Sequence, residues 1–190
     1  MKRIFDLLLG VVMFVILVVP MLWVAIAVRL SSKGPVLYWS DRVAMNSEKL
    51  LNTFKMPKFR TMLVNTPVVA THLLDDSDAY LTPIGGFLRR SSLDELPQLF
   101  SVLKGDMSFV GPRPALYNQD DLIALRTEKG VDKILPGITG WAQVNGRDEL
   151  SIYDKVALEV EYLNRQSFWF DIEVLWMTFL KVIKRDGVSH

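Results

Sequence analysis

Two adjacent carboxylates and a set of arginines in turn-like sequence are the residues of this chain best suited to chemistry. Asp94 and Glu95 lie within Leu88-Arg89-Arg90-Ser91-Ser92-Leu93-Asp94-Glu95-Leu96-Pro97-Gln98-Leu99. A carboxylate can act as a nucleophile, move a proton or hold a hard cation. The structural alternative is a capping box, with Ser92 as N-cap and Glu95 three residues on. Pro97 would then occupy the fifth helical position, where it lacks an N–H and clashes with the carbonyl of Leu93. A helix that begins at Asp94 keeps Pro97 in the first turn and sets Asp94 among unpaired N–H groups that favour anions. Capping carboxylates are common and catalytic ones rare, so the string alone leaves both readings open.

The arginines fall in or beside turns: Arg60 in Lys58-Phe59-Arg60, Arg89 and Arg90, Arg113 in Gly111-Pro112-Arg113-Pro114, and Arg147 after Asn145-Gly146. A guanidinium grips phosphate oxygens through two parallel hydrogen bonds, and a pyrophosphate offers several such faces. Most arginines are solvated surface. Arg113 is the exception to examine, because its flanking prolines fix the backbone and lessen the entropy lost on binding. No Walker A string and no Gly-x-Gly-x-x-Gly occurs, so a phosphate site must be built from arginine and metal. With no cysteine and only His72 and His190 the chain is poor in zinc ligands, which argues against a zinc enzyme, and Asp94 or Glu95 with water and phosphate oxygens suits Mg²⁺ instead. Asp75, Asp76 and Asp78 lack the glycine and distal glutamate of a calcium loop and read as solvated loop charge, with His72 beside them.

The elements that position these groups belong to a chain of 190 residues, enough for one domain. Half of its residues are hydrophobic and the formal net charge is +1, which excludes the global basic field of a nucleic-acid binder. Residues 7–28 carry no charge and reach the roughly 20 residues a membrane-crossing helix needs. The run is too long for a signal-peptide core, and no small-x-small cleavage site follows. Pro20 lies near its middle, and Lys2 and Arg3 precede it while Arg29 and Lys33 follow. Flanking charge therefore sets no orientation. A plain span has the base rate on its side, and a helix bent at Pro20 would keep both basic ends on one face.

Beyond it, residues 36–39 and 54–62 read as extended chain, and 71–78 as a surface loop. A helix over about 94–103, a loop over 105–114, a polar helix over 118–129 and a loop over 136–147 follow. Ile152, Val156, Val160 and Leu163 recur at helical spacing and predict an amphipathic helix. Residues 167–185 combine Phe168, Trp169, Phe170, Trp176 and Phe179 with Lys181, Lys184 and Arg185. That mixture suits a helix at a membrane interface, and its spacing equally suits a core helix. An alternating strand–helix pattern is missing, so a mainly helical α+β domain is expected and a Rossmann sheet is not.

Three strings in this order resemble the bacterial sugar transferases, the monotopic phosphoglycosyl transferase superfamily. They are the stretch from Ser91 to Leu99, Leu103-Lys104-Gly105-Asp106-Met107-Ser108-Phe109-Val110-Gly111-Pro112-Arg113-Pro114, and Pro136-Gly137-Ile138-Thr139-Gly140-Trp141-Ala142-Gln143-Val144-Asn145-Gly146-Arg147. The likeness extends from the apolar N-terminus through Lys58-Phe59-Arg60-Thr61-Met62 to the aromatic C-terminal segment, and the length resembles the minimal catalytic unit.

The resemblance implies a re-entrant helix-break-helix over 1–30 and a catalytic domain over 31–190 with a C-terminal interfacial helix. The domain would sit on the cytoplasmic face of the bacterial inner membrane, in contact with lipids. The implied reaction moves a sugar 1-phosphate from a UDP-sugar to polyprenol phosphate, the first membrane step of glycoconjugate biosynthesis. The Asp94–Glu95 pair would be catalytic, Asp94 attacking the β-phosphate and UMP leaving. Mg²⁺ is the implied cofactor, with Asp94 and Glu95 as its ligands. Arg89, Arg113, Arg147, Lys58 and Arg60 would hold phosphates or organise the site. A membrane-bound nucleotide-sugar hydrolase and a non-catalytic scaffold are the alternatives. The sequence departs from the family pattern at Val19-Pro20, where Ser-Pro is usual, and at Pro57, where an aromatic residue is expected before Lys58.

Overall fold

The computed structural model describes residues 1–44, 52–67, 78–146 and 149–184. It is a mostly helical α+β fold led by one long apolar helix, α1 (Lys2–Ser31). That helix continues through Pro20 without interruption, so the expected break does not divide it into two helices. Asp6, Gly10, Met21 and Val28 are buried, and Leu9, Met13, Phe14, Leu17, Val24 and Ala25 pack beside them. These positions recur every three or four residues and mark one face that lies on the domain along the whole helix. The opposite face exposes Leu8, Val12, Val15, Ile16, Val19, Trp23 and Ile26.

The chain leaving α1 forms β1 (Leu37–Val43), which pairs antiparallel with β2 (Thr53–Phe59), Leu37 opposite Phe59 and Val43 opposite Thr53. Phe54, Met56 and Phe59 point inward. Short helices α2 (Gly85–Arg90) and α3 (Leu99–Lys104) flank a 3₁₀ segment, Leu93–Gln98. Strand β3 (Ser108–Val110) then pairs in parallel with β4 (Gly137–Thr139), with α4 (Asp120–Lys129) between them. Helices α5 (Trp141–Val144), α6 (Ile152–Arg165) and α7 (Phe168–Lys184) complete the fold.

Several sequence expectations shift. The first strand runs to Val43, beyond residue 39, and both loops read over 105–114 and 136–147 contain a strand. Those strands are three residues long and β3 is buried throughout, so neither shows the alternation that reveals a half-exposed strand. Most of the 71–78 loop lies outside the described residues. Helix α7 packs on the core through Phe170 and Val174, which are buried, while Phe168, Trp169, Trp176, Phe179 and Ile183 are exposed.

Polar contacts fix the start of α1. Arg3 donates to the carbonyls of Val102 (2.6 Å) and Leu103 (2.9 Å), oxygens left over at the end of α3. Buried Asp6 accepts the Phe109 N–H at 3.2 Å. Lys2 reaches Asp171 at 2.6 Å, and the Tyr162 hydroxyl donates to the other Asp171 oxygen at 2.6 Å. The helix thus ties to α3, β3, α6 and α7. Burial, with the hydrogen bond to Asp171 and that carboxylate's charge, holds the Tyr162 hydroxyl well above the ordinary tyrosine value, so it stays a neutral donor. Tyr162→Phe should cost about 1–3 kcal/mol by leaving Asp171 short of a donor. Denaturant unfolding in detergent checks this, and an unchanged midpoint would show that Lys2 alone suffices.

Candidate active site

Asp94 and Glu95 face β2 because the chain turns sharply before them. Ser91 ends α2, its hydroxyl donating to the Phe87 (2.9 Å) and Leu88 (3.1 Å) carbonyls. Ser92 then adopts a left-handed backbone, φ 55°, unusual for a residue other than glycine. Its carbonyl accepts the Glu95 N–H at 3.2 Å, and its side chain makes no cap. The capping-box reading is therefore overturned, and so is an α-helix starting at Asp94. The segment is 3₁₀, which places Pro97 where no i−4 hydrogen bond is required.

Glu95 Oε1 accepts from Lys58 Nζ at 2.7 Å and from Arg113 Nη2 at 3.2 Å. One carboxylate thereby joins β2, the 3₁₀ segment and the Gly111-Pro112-Arg113-Pro114 stretch. Asp94 is 8% exposed. Burial pushes its carboxyl up to about 6, opposed by Lys58, reinforced by Glu95 and opposed further by Arg89 and Arg113. Burial likewise lowers Lys58 and Arg89, while Glu95 and Asp94 pull Lys58 up and Asp94 pulls Arg89 up. Arg89 is steadied by Thr61, whose hydroxyl accepts its Nε at 3.2 Å.

The Arg113 stretch is held from behind by backbone. Gly111 N–H donates to the Thr139 carbonyl at 2.9 Å, and Gly137 N–H to the Pro112 carbonyl at 2.8 Å. The approach is so close that a Cβ on Gly111 would stand 2.3 Å from the Leu135 oxygen, and one on Gly137 2.2 Å from Gly111 N. Only glycine fits there. This explains why the two glycine-containing motifs behave as one unit, the second supporting the first.

Of the residues expected from sequence, the structure gathers Asp94, Glu95, Lys58, Arg89 and Arg113. Arg147 lies outside the described residues. Arg60 is elsewhere: buried, it donates to the carbonyls of Pro35 (2.7 Å) and Ser32 (2.9 Å) and clamps the turn that leaves α1. Sequence reasoning missed Arg42, which donates to the Pro114 carbonyl and the Ser40 hydroxyl, each at 3.0 Å. Burial and nearby Arg113 lower its pKa to about 10, with Glu95 opposing. Its signal was the length of β1, which places residue 42 opposite Phe54, beside the centre. Four cationic side chains against two carboxylates leave an excess of positive charge suited to a polyanionic ligand.

Among the described residues, no group of three or more histidine, aspartate and glutamate side chains is placed to hold a metal. Two adjacent carboxylates are nevertheless the complement Mg²⁺ uses when phosphate oxygens and water fill its other positions. The donor set therefore fits that ion as a partner of a phosphate substrate.

The chain belongs to the bacterial sugar transferase family, whose model matches residues 1–185. It is 38% identical over 192 residues to the uncharacterized sugar transferase EpsL of Bacillus subtilis, covering 100% of this chain and 91% of that protein. It is 40% identical over 200 residues to the undecaprenyl-phosphate glucose phosphotransferase of Komagataeibacter xylinus, covering 100% of this chain but 36% of that one. With the undecaprenyl-phosphate galactose phosphotransferase of Salmonella typhimurium the identity is 34% over 205 residues, 98% of this chain and 41% of the relative. The chain thus spans nearly all of EpsL and about two fifths of the two relatives with named substrates.

The reassignment of Arg60 is testable. Arg60→Lys can reach one of the two carbonyls but not both, and should lower stability by about 1–2 kcal/mol. A role in ligand binding would instead appear as lost affinity for a diphosphate at an unchanged unfolding midpoint.

Proposed function

We propose that the protein transfers a sugar 1-phosphate from a UDP-sugar to a polyprenol phosphate at the cytoplasmic face of the bacterial inner membrane. The observation that carries this reading is Asp94, buried among Lys58, Arg89 and Arg113 in a chain of the sugar transferase family. The relatives' names supply the acceptor, undecaprenyl phosphate, and the sugar transferred to it, glucose in one and galactose in another.

An Asp94 oxygen attacks the β-phosphorus of the UDP-sugar. The bond from that phosphorus to the bridging oxygen breaks, and UMP leaves with the oxygen and the electron pair. Asp94 then carries the phosphosugar as an acyl phosphate. A polyprenol phosphate oxygen attacks the same phosphorus, the bond to Asp94 breaks, and the free carboxylate returns with polyprenyl diphosphate sugar as product. Burial makes Asp94 more basic and hence more nucleophilic than an ordinary aspartate, while remaining largely ionised at neutral pH. Arg89 and Arg113 neutralise phosphate charge that would repel it, and Lys58 holds Glu95 in place. Mg²⁺ held by Asp94 and Glu95 would supply further charge neutralisation to the diphosphate.

Two-step transfer predicts a covalent species. Mass spectrometry of the protein incubated with UDP-sugar alone should find a phosphosugar on Asp94, and Asp94→Asn should abolish turnover. Transfer that requires both substrates together, with no adduct on rapid quench, would overturn the two-step route. UMP release undiminished without lipid would mark a hydrolase.

The same reading puts both ends of α1 on the cytoplasmic side, the helix entering the membrane without a break at Pro20. A helix of 30 residues is about 45 Å long, and α1 packs on the domain from Asp6 to Val28. Crossing the bilayer upright would carry charged groups of the domain, Asp94 and Glu95 included, into hydrocarbon. The chain has no native cysteine. Single cysteines added ahead of Met1 and at Lys33→Cys should therefore label from the same face, and labelling from opposite faces would establish a plain span.

A further inference from the structure

A cavity of about 580 Å³ opens beside the Asp94 centre, between the Pro112–Pro114 stretch and the α4 region that follows it. We propose that it binds the nucleoside half of the donor, uracil and ribose, and so orients the diphosphate towards Asp94; this rests on the transferase reading above. Three observations carry the assignment.

Arg113 belongs to both places. It lines the cavity and donates to Glu95 at 3.2 Å, so a ligand seated in the cavity meets the reacting centre through one guanidinium. A diphosphate that bridges cavity and carboxylate would pass along it.

The walls select between the two ends of the donor. Pro112, Pro114 and Ile123 make them largely apolar. A pyrimidine ring has two apolar faces and a few polar edge atoms, which suits such a wall. A hexose presents a hydroxyl at nearly every carbon, and those turned to the apolar wall would lose water without a partner.

The polar groups present match a ribose and its phosphate. Asp132 lines the cavity and buries its Oδ1 without a hydrogen-bond partner. A buried acceptor left unsatisfied is costly, and rotation of the carboxylate towards a ribose hydroxyl would satisfy it, as acidic side chains do for ribose in dinucleotide folds. Lys133, next in sequence and exposed, adds positive charge to the same wall.

UMP is the probe, its binding measured by calorimetry on the full-length protein in detergent. Asp132→Asn preserves the shape and should weaken UMP about tenfold, raising KM for the UDP-sugar similarly while kcat at saturation stays within about twofold. Ile123→Trp fills the cavity and should weaken UMP at least as much, with retained folding shown by its unfolding midpoint. Uridine, which lacks the phosphate, should compete with UMP, and free galactose should not. If the wild type transfers phosphosugar while both variants bind UMP normally, or if free galactose displaces UMP and uridine does not, the nucleoside assignment is overturned and the transferase reading stands. If the wild type neither transfers phosphosugar nor binds UMP, the transferase reading itself falls.

Discussion

The structure around the site depends on the Glu95 carboxylate, shared between Lys58 of β2 and Arg113 of the Gly111–Pro114 stretch. Three segments far apart in sequence meet at one largely buried side chain. Buried ion pairs are weak sources of net stability, but removal of one partner typically costs about 3–5 kcal/mol because the other charge is stranded. Here a second cation stays when one is lost, which softens that penalty. The interaction therefore acts mainly as a registration device: it fixes where Arg113 stands relative to Asp94. The glycine contacts behind Arg113 serve the same end, since a stretch pinned through Gly111 and Pro112 to β4 cannot drift from the carboxylates.

A second constraint comes from α1. Leu93 and Leu96 pack against the cluster that includes Met21 and Val28 of that helix, while Asp94 and Glu95 between them look towards Lys58 and the arginines. The tight 3₁₀ turn thus separates two environments within four residues. Its inner side touches a helix whose outer face is continuous hydrocarbon, and its other side is the polar centre. On the proposed reaction, a lipid-borne phosphate and a water-soluble nucleotide must reach the same carboxylate. On that reading Asp94, next in sequence to a leucine packed on the long apolar helix, would be within reach of both.

Much of this centre was legible from residue types alone. Asp94, Glu95, Arg89, Arg113 and Lys58 stood out by chemistry or by likeness, and they converge. What the sequence could not reveal was three-dimensional. Arg60 sits two residues from Lys58 in a promising string, but β2 ends at Phe59, and beyond it the Arg60 fork went to backbone carbonyls at the exit of α1. Arg42 was passed over because β1 was read as ending at residue 39, whereas it runs to Val43. Ser92 had the ideal type for an N-cap, yet it takes a left-handed backbone and makes no side-chain cap, which no propensity argument anticipates. The short strands β3 and β4 were hidden because burial removes alternation and glycine lowers strand propensity.

The use of two neighbouring carboxylates follows from that turn. A 3₁₀ helix has three residues per turn, so successive side chains diverge by about 120° and meet their shared cations from different sides. Glu95 points to Lys58 and Arg113 and accepts hydrogen bonds from both, which ties down the oxygen they share and makes it a poor nucleophile. Asp94 meets the same cations only through space, and burial outweighs them enough to raise its pKa to about 6. Pairs of acids whose environments differ in this way divide their work, one holding its surroundings in place and the other staying basic enough to react. An α-helical start would have set the two only about 100° apart and left Pro97 opposing the turn. The strained Ser92 and the 3₁₀ segment are accordingly the local conditions that let adjacent residues of nearly the same chemistry take different roles.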